Sequence, residues 1–411
     1  MTPNRSVSIK RLAWRDPPVA DIKLPKGNLR LTLGIGSALA RRVGGPADCL
    51  WGLGDRGANL KVDLAIEDYG LEALRPLVRV KGLKLLPRPD VGPTLAQLRV
   101  GKDRVHLVRT LRLQTPVGNP VSGRAPPAGA TGEMEPTYDL EGRPLDADPG
   151  GADTEGLAVM ADGTFWVSEE YGPSLIKLDA GGVVIERWVP GGGSAMTAEA
   201  VGYPVRPILP AIAARRRINR GFEAVTVSED QRHLHIGFQS GLDFGDQVAR
   251  FARIWTLDAT TGEVVSQHLY PFDQPTSFRR DAEAGKVSDG DLKICELVAL
   301  PGNQLLVLER ISASARIYRV DLKTLGVSKA HLDLATRPAL EEMSSTQLAS
   351  QPMLAKTLIF DTDCAAKIAA DLEGMALTSD RELILATDND FGVEGAETCF
   401  YRLTFKQALT A

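Results

Sequence analysis

A short acidic–apolar pattern returns four times along the 411 residues, and a repeat of this kind limits the fold more than any composition does. Glu155-Gly-Leu-Ala-Val precedes a turn and Phe165-Trp-Val-Ser-Glu-Glu. Glu223-Ala-Val-Thr-Val precedes Leu234-His-Ile-Gly-Phe-Gln, Glu296-Leu-Val-Ala-Leu precedes Leu305-Leu-Val-Leu-Glu-Arg, and Glu373-Gly-Met-Ala-Leu precedes Leu383-Ile-Leu-Ala-Thr-Asp. A degenerate copy comes first, Gly36-Ser-Ala-Leu and then Leu50-Trp-Gly-Leu-Gly-Asp55-Arg. Alternating apolar residues bounded by turn residues read as strands, and most copies are followed by a third strand such as Ile254-Trp-Thr-Leu-Asp. One meander cannot bury both of its faces, whereas meanders stacked radially can, so the chain is expected to be an all-β protein, a β-propeller. Room for one more blade between 60 and 150 makes the expected number six. Residues 1–27 read as an N-terminal extension and 28–405 as one domain, with a strand near 28–34 closing the ring. The Pro/Gly-rich segments 114–152 and 190–218 read as long functional loops over one face. The helical candidates are short, near 208–217 and 364–371.

Lys plus Arg is 48 and Asp plus Glu is 52, which argues against nucleic acid as a partner. The one basic cluster, Arg215 to Arg217 with Arg220, reads as a solvated loop face. No apolar run approaches the roughly 18–20 residues of a membrane span, and no signal peptide is legible at the N-terminus. The four cysteines lack zinc spacing; they read as free thiols, with a Cys364–Cys399 bridge as the open alternative. His233 and His235 read as packing rather than catalytic residues, and Trp51 and Trp166 as blade packing.

The repeat places Glu155, Glu223, Glu296 and Glu373 at one position in four blades. The ends of the second strands, Asp55, Glu170, Gln239, Arg310 and Asp388, return to the same channel mouth. Crowded glutamates need shifted pKa values, Arg partners or a cation. Calcium, a hard ion with six to eight oxygen ligands, suits them best. The plainer reading, Glu–Arg pairs that lock the blades, stays open. Asp388-Asn-Asp390-Phe-Gly392 with Glu394 looks like half a calcium loop. Nucleophile-elbow, zincin and Walker motifs are missing from the sequence.

Asp153-Thr-Glu-Gly-Leu, Phe165-Trp-Val-Ser-Glu-Glu-Tyr-Gly172, Asn219-Arg-Gly-Phe-Glu223, Asp371-Leu-Glu-Gly-Met and Asp388-Asn-Asp-Phe-Gly together resemble the phytase-like β-propeller family, also called "esterase-like activity of phytase". The resemblance runs from about 28 to 405. It implies a calcium-type centre, hydrolysis of phosphate or carboxylic esters, and a periplasmic or secreted bacterial protein. From the aligned carboxylates together with this resemblance, Glu155, Glu223, Glu296, Glu373 and Asn389 are the expected metal ligands, and Glu170, Asp388 and Arg310 the expected catalytic residues. Arg56, Tyr171 and Arg220 are expected to bind a small anionic ester, in a monomer. Ser37 stands where the other copies carry Glu, which opens the ring on one side. Two alternatives remain: a non-enzymatic binding propeller with a structural ion, and a lactonase of the gluconolactonase/paraoxonase type.

Overall fold

The period-two segments fold as four-stranded antiparallel meanders in a computed structural model that describes residues 7–129, 132–193, 196–245, 247–365 and 367–410. Blade 1 is built from Ala38–Arg41, Cys49–Gly54, Thr94–Val100 and Val105–Arg112. Blade 2 comprises Thr154–Val159, Phe165–Glu169, Ser174–Leu178 and Val184–Pro190, with Val205–Leu209 added in parallel outside. Blade 3 runs through Phe222–Val227, His233–Phe238, Phe251–Asp258 and Val264–Pro271. Blade 4 holds Lys293–Leu300, Gln304–Arg310, Ala315–Asp321 and Lys356–Asp361. Blade 5 takes Leu372–Ser379, Glu382–Thr387 and Phe400–Phe405 from the C-terminal end and Val7–Leu12 from the N-terminal end.

Each inner strand packs on the next, and that of blade 5 returns to that of blade 1, so the ring closes with five blades rather than the six expected. The stretch between 60 and 93 supplies no blade. It holds a short helix, Val62–Glu67, the 3-10 turns Glu72–Arg79 and a two-residue strand, after which 94–112 completes blade 1. These pieces share an apolar cluster with the hairpin Pro18–Leu24/Gly27–Thr32. Residues 28–32 therefore belong to that hairpin. The closing strand is Val7–Leu12, inside the expected extension, paired from Val7↔Phe405 to Leu12↔Phe400.

The core is divided into wedges between blades. Trp51 meets Phe165 edge-on at 4.9 Å between blades 1 and 2, and Trp166 packs on Trp188 at 4.3 Å beside blade 3. His235 is buried in blade 3 with Nδ1 3.0 Å from Thr256 Oγ1, and burial lowers its pKa to about 4. The four cysteines are free, with Cys364 exposed, so the Cys364–Cys399 bridge is not formed. The helical candidate 208–217 reduces to a 3-10 turn at Ala211–Arg215; the candidate 364–371 includes residue 366, which lies outside the described residues, and its described residues form no helix beyond the end of the 3-10 turn Thr362–Cys364. Among the described residues no helix is long and apolar enough to cross a membrane.

Closure by a terminal strand carries an expected outcome. A chain lacking residues 1–12 exposes the Phe400–Phe405 edge, a template for aggregation. A loss of about 3 kcal/mol lowers the Tm of a chain of 411 residues by about 3–4 °C. Thermal melts and light scattering of the truncated chain measure both.

Candidate metal centre

A β-bulge opens the inner strands of blades 2 to 5, and it aims one side chain per blade at the channel mouth. Register slips between Thr154 and Gly156, Phe222 and Ala224, Ile294 and Glu296, and Leu372 and Gly374. The bulged residues are thus Glu155, Glu223, Cys295 and Glu373. Glu296, expected to match the other three glutamates, lies one position farther along. The structural equivalent is Cys295, fifteen positions before Arg310, as Glu155 is before Glu170 and Glu373 before Asp388. Counting back from the second-strand ends was the sequence signal that would have found it.

The second-strand ends return to the mouth through equivalent bonds. The N–H of Glu170 donates to Asp153 O (2.9 Å), Gln239 to Gly221 O (3.0 Å) and Asp388 to Asp371 O (2.9 Å). A third tier follows, Asp153, Gly221, Lys293 and Asp371. At Gly221 a Cβ would stand 2.8 Å from the Glu170 Cα, so this blade contributes backbone only. Left-handed backbone at non-glycine positions gathers here, at Asn219, Asp371, Asp390 and Phe391. Strain of this kind concentrates at functional sites.

Asp55, Asp153 and Glu155 bring one carboxylate oxygen each within 4.8 Å of one another. A donor set of oxygens alone fits a hard divalent cation such as calcium. Glu170 adds an Oε1 that is buried without a hydrogen-bond partner. Glu223, Cys295 and Glu373 form a second group within 4.8 Å. There Arg310 supplies the positive charge: it pairs with Glu373, donates to Asp371 (3.0 Å) and points Nε at Cys295 Sγ (3.0 Å).

Burial and mutual repulsion raise the carboxyls. Burial, then Asp153, pushes Asp55 up to about 8, and burial, then Glu373, pushes Glu223 up to about 7. Glu155, Glu170 and Asp388 rise well above the carboxylate range, by burial first and neighbouring carboxylates next. Burial likewise pushes the Cys295 thiol up to about 12.

Among the expected site residues, the structure gathers Glu155, Glu170, Glu223, Glu373, Asp388, Arg56 and Arg310 at the mouth. Arg56 pairs with Asp153 and reaches Asn219 Oδ1 (3.1 Å), while its Nε is buried without a partner. Tyr171 is fully buried and donates to Gly123 O (2.9 Å), which pins the 114–152 loop. Arg220 donates to Leu292 O (3.1 Å) and Gly290 O (2.8 Å). Asn389 caps the turn after Asp388: Oδ1 accepts from Phe391 N–H (2.9 Å) and Nδ2 donates to Leu33 O (3.2 Å). Glu296 is gripped by backbone N–H groups below the mouth.

Sequence reasoning left Asp153, Cys295, Lys293 and Glu135 out of the site. Glu135 comes from the 114–152 loop; its carboxylate is buried, 3.4 Å from Lys84 Nζ, and acts on Arg56, Glu170 and Tyr171. No periodicity marks such a loop residue.

Residues 40–391 match the family model described as "Phytase-like: Esterase-like activity of phytase". The chain belongs to the phytase-like family. A secreted protein of Arthroderma benhamiae, itself uncharacterized, is 28% identical over 293 residues, covering 65% of this chain and 55% of the relative. The chain thus spans about half the length of that curated relative. A crystal structure of a protein of unknown function from Bacteroides caccae is 8% identical, with a TM-score of 0.29 over 71% of this chain and 61% of that one. The PQQ-bound aldose sugar dehydrogenase from Streptomyces coelicolor is 11% identical, with a TM-score of 0.37 over 98% and 99%. Likenesses this distant say nothing of the chemistry at the phytase-like mouth.

Proposed function

We propose that the channel mouth is the active site of a calcium-dependent hydrolase of phosphate or carboxylic esters. The observation that carries this reading is the all-oxygen triad Asp55, Asp153 and Glu155 beside the unpartnered Glu170 oxygen. Membership of the phytase-like family supports it. Asp55, Asp153 and Glu155 would hold the calcium, which would supply a Lewis acid for an ester oxygen and for water. The protein's residues do the rest. Glu170, in its ionised form, takes the water proton on its free Oε1. Arg56 offers its free Nε–H to an anionic oxygen, and its tie to Asp153 holds the guanidinium in place. Gln239 donates to Glu223 and keeps that carboxylate turned inward. Export from the cytoplasm belongs to the same reading, supported by the secreted fungal relative.

The test is a panel of aryl phosphates, carboxylic esters and lactones, assayed with calcium and after chelation. Chelation should remove turnover, and Glu170→Gln should lower kcat about 100-fold or more while the fold is retained. Full activity in chelator overturns the metal role. A second reading draws on the Arg56–Asp153 and Arg310–Glu373 pairs, which already neutralise part of the ring. In that case the ion serves stability alone. Glu155→Gln would then lower the calcium-dependent gain in Tm, with no substrate turned over by the unsubstituted protein.

A further inference from the structure

Below the acidic mouth, the axis of the propeller is occupied by one side chain. Glu296 is 1% exposed. Its Oε2 accepts the N–H of Leu39 (3.1 Å) and its Oε1 that of Leu297 (3.0 Å). The N–H of Met375 supports the same group, and these N–H groups oppose the burial that raises its pKa well above the carboxylate range. Leu39, Leu297 and Met375 hold one position in three blades, each directly after the residue that aligns with Glu296 or with its equivalents Ala38 and Gly374.

Those equivalents are small in every other blade: Ala38, Gly156, Ala224 and Gly374. A Cβ at Gly156 would stand 2.5 Å from Val225 N, and one at Gly374 would stand 2.8 Å from Leu39 Cγ. Side chains at those two positions would collide with the neighbouring strand, so Glu296 is the one long side chain among these five equivalent positions. The N–H groups of Leu39 and Met375 face the channel, and buried donors of that kind require an acceptor. Converging backbone N–H groups make an anion site.

We propose that the ring of inner strands converges backbone N–H groups on its axis as a site for a small anion, and that the Glu296 carboxyl group fills it. Removal of this side chain opens the site to a small monovalent anion of halide or formate size. The opposite end of the channel is a half-open cavity of about 550 Å³, walled by Leu39, Leu297 and Met375, with Arg41 and Arg42 at its rim together with Glu229 and Asp380. In the native protein the filled site is a floor. It separates this lower cavity from the acidic mouth, so whatever enters the upper mouth leaves by the same opening.

The test compares Glu296→Ala with the native protein in sodium gluconate and in sodium bromide at equal ionic strength, by thermal melts and by bromide anomalous diffraction. In gluconate Glu296→Ala should melt well below the native protein. Bromide should restore much of that loss with a saturable midpoint, because an anion that binds only the folded state stabilises it by mass action. A bromide peak should lie on the axis beside the Leu39 and Met375 nitrogens. The native protein should respond equally to both salts. Equal melting of Glu296→Ala in the two salts, or an axis without bromide, overturns the proposal. Where Glu296→Ala does not fold in gluconate, its refolding yield decides: recovery in bromide alone supports the site, and no recovery in either salt overturns it. Glu296→Gln keeps the axis filled and should ignore bromide; a response equal to that of Glu296→Ala places the salt effect elsewhere and overturns it too.

Discussion

Stability of the metal-free protein is expected to fall as the pH rises from about 4 to 8, and calcium is expected to abolish the fall. The cause is the crowded mouth. Burial and the neighbouring Asp153 push Asp55 up to about 8, and burial and Glu373 push Glu223 up to about 7. Both lie above the values of the unfolded chain, about 3.9 and 4.3. Between these limits the native state binds more protons than the unfolded state, so the unfolding free energy declines with rising pH. The contribution is fully present below about pH 4 and lost as the pH passes 7 to 8. Each pKa unit is worth about 1.4 kcal/mol, so the combined effect is on the order of several kcal/mol. Despite burial, Lys356, Tyr318 and Arg316 hold Asp273 below its ordinary range, and such groups act only on the acid side of this window. Calcium needs deprotonated ligands, so its affinity rises over the same interval and cancels the fall. Denaturant melts at pH 5, 6, 7 and 8, in chelator and in millimolar calcium, read this directly. Equal stability at pH 5 and 8 in chelator would show that the mouth is not crowded with charge.

Glu169→Ala is expected to cost about 3–5 kcal/mol, because it strands a buried charge. Glu169 and Arg187 both have fully buried side chains, with Nη2 3.0 Å from Oε2. The same carboxylate accepts from Asp153 N–H (3.2 Å), Tyr171 N–H (2.7 Å) and Ser174 Oγ (2.9 Å). Glu169 thus fixes the backbone that presents Asp153 to the mouth, and its loss should also weaken calcium. The paired replacement Glu169→Leu with Arg187→Met should recover much of the stability, since apolar packing often equals a buried ion pair. It should not recover calcium affinity, because the anchors of Asp153 are still missing. Denaturant melts and calcium titrations of the single and paired variants separate the two effects. A paired variant that binds calcium like the native protein would remove Glu169 from the positioning of the site.

Much of the fold was legible because each blade writes its own period. The inner and second strands of blades 2, 3 and 5 begin and end within a residue or two of the repeat. Blade 1 was harder to read, because its second and third strands are separated by residues 55–93. That insertion looks like an extra blade when only the spacing of repeats is counted. The closing strand Val7–Leu12 carries no copy of the repeat, and its partner Phe400–Phe405 lies almost four hundred residues away.

The mouth was legible to the same degree. Glu155, Glu223 and Glu373 were found by pattern, since the bulge that aims them falls at one place in the motif. Glu296 was drawn into the same group because its flanking Leu-Val-Ala-Leu imitates the strand of the other copies. The bulge selects Cys295 instead, and a slip of one residue in a strand turns a side chain to another destination.

Strand periodicity and the recurring acidic start of each inner strand are local properties, so the linear chain suffices to establish an all-β propeller with acids at one end of its channel. Blade number, the partner of the closing strand, the pairing of Arg56 and Arg310 with Asp153 and Glu373, and the seating of Glu296 on the axis depend on distances between residues remote in the chain. Those distances exist only once the ring has closed, because closure is what brings five separate strands to one axis.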